Sequence, residues 1–219
     1  MKIINVITID GPSASGKGAL SRKVAHQFNL NILDSGALYR LFAYLFNLNM
    51  NHQEISIAIK DHIDFKLENN NLKISYQGLD VTSELRTEDI AKTASRLSSK
   101  KEVRDRLFNI QRDFYNDKGL VADGRDMGTV VFKDAKLKIF LTASPEIRAK
   151  RRYIELQNLG QEVNMPALIA DIEARDFKDS SRELSPLLAA DDAKIIDSSE
   201  MSLEEVFSFT ENLIKKEFI

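Results

Sequence analysis

The stretch that most limits what this chain can fold into is ITIDGPSASGKGAL, at residues 7–20. It overlaps a β-branched, nearly continuous apolar run at residues 3–9, which is typical of a strand buried on both faces of a parallel sheet. Leu20, Val24 and Phe28 then recur every four residues and predict an amphipathic helix. A glycine-rich turn between such a strand and such a helix lets backbone N–H groups surround an anion. The segment therefore predicts a phosphate-binding loop.

Gly11, Gly16 and Lys17 occupy the fixed positions of the phosphate-loop pattern. The glycines free backbone amides to curl around phosphate oxygens, and the lysine brings a positive charge to the terminal phosphates. An ordinary strand-to-helix turn would not explain the row of small residues before the lysine. One feature departs from the commonest form of the pattern, because Gly18 and Ala19 stand where a Ser or Thr hydroxyl usually contacts Mg²⁺.

Composition restricts the remaining possibilities. The chain has 219 residues, 43% of them hydrophobic, with 33 acidic and 31 basic residues, so we expect one main core and no bulk attraction to nucleic acid. There is no cysteine, which excludes thiolate catalysis and cysteine-bound metals and fits a reducing compartment. No run approaches the roughly 18 apolar residues of a membrane span, and no cleavable leader is recognisable. We expect a cytoplasmic, soluble protein.

Strand and helix patterns alternate along most of the chain, which favours an α/β fold with a central, mainly parallel sheet flanked by helices. Ser144 and Pro145 form a candidate N-cap and first helical position, and Ser202 with Glu205 forms a candidate capping box for the last helix. Further strands are predicted at residues 31–34, 120–123, 137–143 and 193–197.

Residues 63–82 break this alternation. Apolar and polar residues alternate there on both sides of an Asn-rich turn, which predicts an antiparallel hairpin instead of a crossover unit. We interpret the hairpin as part of a lobe inserted at about residues 40–100.

Charged residues supply the other candidates for chemistry. Asp123 ends a predicted strand, a position from which a carboxylate can support Mg²⁺ or its waters beside a phosphate loop. A phosphoryl-transfer enzyme must hold phosphate oxygens and neutralise moving charge, and the planar forks of arginine do this better than lysine. The candidates are Arg148, Arg151 and Arg152 in one predicted helix, and Arg175 and Arg182 with Asp179 between them.

Four segments together resemble the bacterial cytidylate kinases of the nucleoside monophosphate kinase family: ITIDGPSASGKG, LDSGALYR, ADGRDMGTVVF and KIFLTAS. The resemblance runs in order over essentially the whole chain. It implies a P-loop NTPase fold with its core at residues 1–39, 101–150 and 167–219. It also implies a monophosphate-binding lobe at 40–100 that contains a small antiparallel sheet, and a short helical lid at 151–166. The implied activity is Mg²⁺-dependent transfer of a phosphoryl group from ATP to CMP or dCMP in pyrimidine metabolism.

The resemblance also assigns roles to residues. The expected ATP-binding residues are Gly11, Pro12, Ser13, Ala14, Ser15, Gly16, Lys17, Gly18 and Ala19. The expected catalytic residues are Lys17, Arg125, Arg148, Arg152 and Arg182. The expected CMP-binding residues are Ser35, Gly36, Arg40, Ser95, Arg104, Asp123, Gly124, Arg125, Asp126, Arg175, Asp179 and Arg182.

Within the CMP-binding set, Arg40, Arg125 and Arg182 match positions that hold the phosphate. Ser95, Arg104 and Asp126 match positions that read cytosine, and a carboxylate beside donors complements its amine and acceptors. Arg175 and Asp179 match positions near the sugar. No direct protein ligand to the metal is expected, because Mg²⁺ would be held by phosphates and water near Asp123 or Asp10.

Two positions depart from the family pattern: Ala19 replaces a usual Thr, and Lys178 stands where Arg is common.

Three alternatives to the CMP kinase function stay open at this point. A regulatory GTPase shares the loop, but the chain has no Asn-Lys-x-Asp segment. A kinase for AMP, UMP or a metabolite alcohol is the second, with Asp126 as the base in the last case, and a non-catalytic binding protein is the third. The expected partners are small-molecule substrates alone, without nucleic acid or membrane, and the expected state is a monomer.

Overall fold

The computed structural model describes residues 5–68, 71–158 and 160–218. They form a five-stranded sheet, whose described pairings are all parallel, and a three-stranded antiparallel sheet. The strands are β1 (Val6–Asp10), β2 (Asn31–Asp34), β3 (Ile63–Glu68), β4 (Asn71–Tyr76), β5 (Leu79–Asp80), β6 (Leu120–Gly124), β7 (Leu137–Thr142) and β8 (Lys194–Asp197). The α-helices are α1 (Lys17–Phe28), α2 (Ser35–Asn47), α3 (His52–His62), α4 (Glu88–Leu97), α5 (Lys101–Asp113), α6 (Pro145–Asn158), α7 (Met165–Ser181) and α8 (Leu203–Phe218). A 3₁₀ turn spans Glu84–Arg86, and a π-helical segment spans Met127–Val131.

The chain divides into two compact units: a first unit that combines the residues up to Ser21 with those from Gly124 onwards, and a second unit, Arg22–Asp123. In the first unit, β7 pairs in parallel with β1 on one side and with β8 on the other. Every residue of β1 is buried, as its apolar sequence predicts. Helix α6 packs on α7, and α8 packs on β7. This unit contains the whole predicted phosphate loop.

In the second unit, β2 and β6 pair in parallel, with Asp34 opposite Asp123 at their carboxyl ends. Helix α2 follows β2 directly and begins at an N-cap formed by Asp34, whose side chain accepts a hydrogen bond from the backbone N–H of Ala37 at 2.8 Å. The apolar stripe of α2, including Leu38 and Phe42, is fully buried. Helices α3 and α4 pack on α2.

The predicted antiparallel hairpin is confirmed. Strands β3 and β4 pair from Ile63 opposite Tyr76 to Glu68 opposite Asn71, and β5 adds a third strand. The turn residues 69–70 lie outside the described residues. The period-2 alternation of β4 leaves Leu72 and Ile74 buried, which is the face that fixes the register.

The other predicted elements are confirmed as well, with small shifts at their ends. The first strand extends to Asp10, and residues 3–4 of the predicted run lie outside the described residues. Helix α6 begins at Pro145, and Ser202 exchanges hydrogen bonds with Glu205 before α8. The α/β fold is therefore confirmed, while the boundaries of the lobe (40–100) and the lid (151–166) stay predictions. Within the described parts of the chain, none of the helices is at once long and apolar enough to cross a membrane.

Candidate active site

The loop between β1 and α1 has the backbone that a phosphate-binding loop requires. Gly11 has φ +150° and Gly16 has φ +95°, both in the region that favours glycine. A β-carbon on Gly11 would lie 2.0 Å from the backbone oxygen of Leu141, so no other residue fits there. Helix α1 begins at Lys17, which places its first N–H groups at the loop. The Nζ of Lys17 donates to the backbone oxygen of Pro12 at 2.8 Å, across the loop.

Lys17 is only 6% exposed, so its charge lies in a region that excludes most water. Ser15 is also buried, and its hydroxyl has no hydrogen-bond partner among the residues that the structure describes. A buried ammonium beside an orphaned hydroxyl is a donor set that suits phosphate oxygens. The loop predicted from sequence is thus present with its lysine in place.

Arg148 supports the loop from helix α6. Its Nε donates to the backbone oxygen of Ala143 at 2.8 Å, and its Nη1 donates to that of Ser13 at 3.3 Å. Its Nη2 pairs with Asp176 of α7, and the arginine is 3% exposed. The structure therefore shows Arg148 joining the loop to two helices, and its predicted catalytic role stays a prediction.

Arg151, one helical turn further along α6, supports the loop in the same way. Its Nη1 donates to the backbone oxygen of Ser15 at 3.0 Å and to the hydroxyl of Ser198 at 3.1 Å, and its Nη2 donates to the Ser198 backbone oxygen at 2.7 Å. Partial burial lowers the pKa of its guanidinium. The sequence placed Arg151 in an arginine run without assigning it a role. Its i, i+3 spacing from Arg148 is the signal that both face the loop. Arg152, by contrast, pairs with Glu155 of its own helix at 2.8 Å.

A second cluster of the first unit is centred on Asp179, a buried residue of α7. Arg125 Nε donates to Asp179 Oδ2 at 3.0 Å, and Arg182 Nη1 lies 3.7 Å from Oδ1. Burial by itself raises the pKa of this carboxyl, but the charges of Arg125, Arg175 and Arg182 outweigh it and lower the pKa below its usual value. The structure thus brings together four of the predicted CMP-binding residues: Arg125, Arg175, Asp179 and Arg182. Arg125 and Asp179 are 54 positions apart in sequence.

Asp10 joins the end of β1 to the start of the π-helical segment. Its Oδ1 accepts the backbone N–H of Met127 at 2.9 Å, and its Oδ2 accepts that of Gly128 at 2.7 Å. Burial raises the pKa of Asp10 to about 6, against the lowering effect of these two hydrogen bonds. The adjoining Asp126 is also buried. The sequence did not predict this bridge, because its partners are remote in the chain and no local pattern indicates the contact.

In the second unit, the DSG segment places Ser35 and Gly36 at the N-terminus of α2. Ser35 is buried, and its hydroxyl donates to Gln111 Oε1 at 3.0 Å, a contact that fixes α2 against α5. Gly36 is exposed at the first turn. Arg40 lies on α2, one turn further along, and is half-buried. Gly36 thus exposes backbone at the first turn of α2, beside the Asp34 carboxylate that caps the helix.

Two predicted cytosine-reading residues of this unit, Ser95 and Arg104, each hydrogen-bond to Ser98 at the turn between α4 and α5. Arg104 Nη1 donates to the backbone oxygen of Ser98 at 3.1 Å, and the Ser98 hydroxyl donates to the backbone oxygen of Ser95 at 3.0 Å. The guanidinium of Arg104 also lies 5.8 Å from the ring centre of Tyr39, within the range of a cation–π interaction. Tyr39 was not predicted as a site residue, although it precedes Arg40 in the quoted LDSGALYR segment.

Asp123 is buried at the end of β6. Gly124 follows it with the side chain of Met127 packed against its backbone, where a β-carbon would lie 2.8 Å from Met127 Cγ. No group of three or more His, Cys, Asp or Glu side chains suited to a metal ion occurs among residues 5–68, 71–158 and 160–218. The donors that the loop does offer, the Lys17 ammonium and the Ser15 hydroxyl, suit phosphate oxygens.

A buried parallel strand, a loop with left-handed glycines and a buried lysine at the start of the next helix define the P-loop class of nucleotide-binding proteins. Comparison with known proteins is more specific. The chain matches the family model Cytidylate kinase over residues 7–216. It is 44% identical to the cytidylate kinase of Pectobacterium atrosepticum over 210 residues, which covers 93% of this chain and 92% of that protein. It is 41% identical to the cytidylate kinase of Proteus mirabilis over 213 residues, with 93% of each chain covered.

The chain therefore belongs to the cytidylate kinase family. The crystal structure of an uncharacterized protein from Eubacterium ventriosum ATCC 27560 has a similar fold, with a TM-score of 0.53, 13% sequence identity, and coverage of 96% of this chain and 98% of that one. That likeness concerns the fold alone. The resemblance to the cytidylate kinases is therefore confirmed, and the fold and the buried phosphate loop agree with it.

Proposed function

We propose that this chain is a kinase that transfers the γ-phosphoryl group of ATP to CMP or dCMP, giving CDP or dCDP and ADP. The observation that carries the proposal is a buried Lys17 at the end of an intact phosphate loop, in a chain that belongs to the cytidylate kinase family. Family membership favours this function over the GTPase, the alcohol kinase and the non-catalytic binding protein.

At the donor end, the loop amides and Lys17 hold the ATP phosphates. Arg148 and Arg151 pin the carbonyl groups of Ser13 and Ser15, so the loop N–H groups stay directed at the ligand without reorganisation. Preorganised donors of this kind neutralise charge on the transferring phosphoryl group, which is the main task in this chemistry.

At the acceptor end, the nucleophile is already an anion, because a phosphate oxygen of CMP attacks the γ-phosphorus in line. A general base is therefore unnecessary, and positioning carries the rate. We assign the phosphate of CMP to Arg40, Arg125 and Arg182. The shared carboxylate of Asp179 supports this assignment, because it orients both of the last two guanidiniums.

For the base, we assign cytosine to Ser95, Arg104 and Asp126. The turn between α4 and α5 supports this assignment, because Arg104 and Ser95 both hydrogen-bond to Ser98 there. Asp126 would accept from the exocyclic amine while the arginine donates to the ring acceptors. Arg175 and Asp179 are assigned to the sugar.

Mg²⁺ is proposed to enter with ATP, held by phosphate oxygens and water, and to supply charge neutralisation on the phosphates. Each carboxylate oxygen of Asp10 already accepts a backbone N–H, which favours a role outside the first coordination shell for this residue. Of the two candidate carboxylates, Asp123 is therefore the one that we place near the metal.

We further propose that the protein acts as a cytoplasmic monomer on small-molecule substrates, without nucleic acid or membrane. The near balance of 31 basic and 33 acidic residues supports the absence of nucleic acid among the partners, since it gives no general attraction to polyanions. Light scattering of the eluted protein during size-exclusion chromatography would measure the mass, for which 24.8 kDa is expected.

A coupled assay of ADP release tests the proposed function. ATP and Mg²⁺ are held constant while CMP, dCMP, UMP, AMP and buffer alone are compared as acceptors. We expect CMP and dCMP to give the highest kcat/KM and EDTA to abolish turnover. ATP hydrolysis that does not depend on any acceptor, as the only activity, would contradict the proposal.

A further inference from the structure

The bridge between Asp10 and the π-helical segment uses both oxygens of one buried carboxylate. Asp10 is 4% exposed and directly precedes Gly11, the first glycine of the phosphate loop. Its two oxygens accept consecutive backbone N–H groups, those of Met127 and Gly128, at 2.9 and 2.7 Å. The partners are 117 and 118 positions away in sequence. One side chain therefore ties the base of the loop to a distant stretch of backbone.

The segment that Asp10 holds needs an acceptor of this kind. Inside it, the N–H groups of Val130 and Val131 both donate to the backbone oxygen of Asp126, and that of Phe132 donates to Met127. The first N–H groups of a helical segment have no acceptor within it, so they must find one outside. A carboxylate offers both oxygens, whereas an asparagine offers one oxygen and would turn its NH₂ group towards the second N–H.

The close approach at Gly128 shows that this contact is built into the backbone. A β-carbon there would lie 2.9 Å from Thr8 Oγ1, 3.2 Å from Lys138 Cδ and 3.3 Å from Asp10 Oδ2. A larger residue would have to push the backbone away from strand β1 and lengthen the hydrogen bond to Asp10. Glycine is thus required chiefly by the close approach to Thr8 of β1, with Lys138 and Asp10 just beyond it, and not by its own φ angle.

The bridge fixes the position of the two residues that precede Met127. Arg125 and Asp126 directly precede the amides that Asp10 holds, and Arg125 is held at its other end by Asp179 at 3.0 Å. We propose that Asp10 is a positioning residue for acceptor binding: through the amides of Met127 and Gly128 it sets where Arg125 and Asp126 stand relative to the phosphate loop. This inference rests on the proposed function, because it names a residue that serves the same site.

A variant that only weakened folding would impair the binding of both CMP and ATP. Loss of a residue that positions the acceptor site would impair the binding of CMP alone. A buried carboxylate costs free energy as the cap of a helical segment, and burial raises its pKa to about 6. The test is Asp10→Asn in the full chain, with KM for CMP and KM for ATP measured separately. Loss of one hydrogen bond to a charged group is expected to raise KM for CMP about 10- to 100-fold, with KM for ATP within about threefold.

Gly128→Ala is the second variant, because it disturbs the same contact without touching the residue next to the loop. It should show the same preferential loss for CMP. Asp191→Asn is the matched control, an aspartate-to-asparagine change at an exposed residue of the same unit, and it should leave both KM values unchanged.

An equal rise of both KM values in either variant, a KM for CMP within twofold of wild type in Asp10→Asn, or failure of both variants to fold would overturn the inference. The proposed function fails separately, if the wild-type chain itself shows no CMP-dependent turnover.

Discussion

The stability of this protein is expected to carry a pH dependence that traces to one buried carboxyl. Burial raises the pKa of Asp10 from 3.8 to about 6 in the folded state. Between these values the folded protein binds more protons at this site than the unfolded chain does, so the free energy of unfolding falls as the pH rises through the interval. A shift of roughly two pKa units corresponds to about 3 kcal/mol, at about 1.4 kcal/mol per unit.

The other buried carboxyl with a shifted pKa acts in a different pH window. The pKa of Asp179 is lowered from 3.8, so its stabilising contribution is present above pH 3.8 and is lost as the pH falls through its folded-state pKa. The exposed carboxyls whose pKa values are lowered belong to the same acid range. The difference between the wild type and a variant without the Asp10 carboxyl, measured between pH 4.5 and 7, therefore isolates Asp10 from these groups.

Urea unfolding of the wild type and of Asp10→Asn at intervals between pH 4.5 and 7 measures this contribution. The variant has no carboxyl at position 10, so the difference in unfolding free energy between the two proteins should change by about 2–3 kcal/mol over that range, with the wild type losing relative stability as the pH rises. Asp191→Asn, which removes a carboxyl from an exposed position, should follow the wild type. A difference between wild type and Asp10→Asn that stays constant with pH would refute the reasoning.

Three further predictions concern activity in the coupled assay. Lys17→Ala should lower kcat by at least about 10³-fold with an unchanged circular dichroism spectrum, because the phosphates lose their charged donor, and near-normal turnover would refute the mechanism. Asp126→Asn should lower kcat/KM for CMP about 10- to 100-fold more than for UMP, which lacks the exocyclic amine, and equal losses would mean that it does not read the base. Ala19→Thr should raise activity by less than about tenfold, the value of one added hydrogen bond, and a gain of several hundredfold would show that this hydroxyl matters far more.

Much of the fold could be predicted from the sequence because its signals are local. The apolar run before Gly11 and the four-residue repeat after Lys17 report strand and helix periods directly, and α1 begins at that lysine. The alternation around the Asn-rich turn predicted the hairpin of β3 and β4 for the same reason. Capping pairs such as Ser202 and Glu205 are only three positions apart, so their geometry follows from helix formation itself.

The candidate site could be predicted only in part. Residue types and spacing predicted the phosphate loop, and resemblance to a family supplied the remaining roles. Neither showed that Arg148 and Arg151 hold the carbonyl groups of the loop, with partners 135 and 136 positions away. Neither predicted the approach of the Arg104 guanidinium to the Tyr39 ring or the π-helical turn after Asp126.

The sequence by itself thus determined the order of the elements, the loop and the identity of the charged residues, because helix and strand periods and turn chemistry act over a few residues. Only the tertiary structure decided which of those charges meet. Asp10 is an acidic residue at a strand end in the sequence. Packing of β1 against the segment after β6 removes it from water, gives each of its oxygens a backbone N–H and raises its pKa. Desolvation depends on neighbours that are remote in the chain, and no local pattern encodes them.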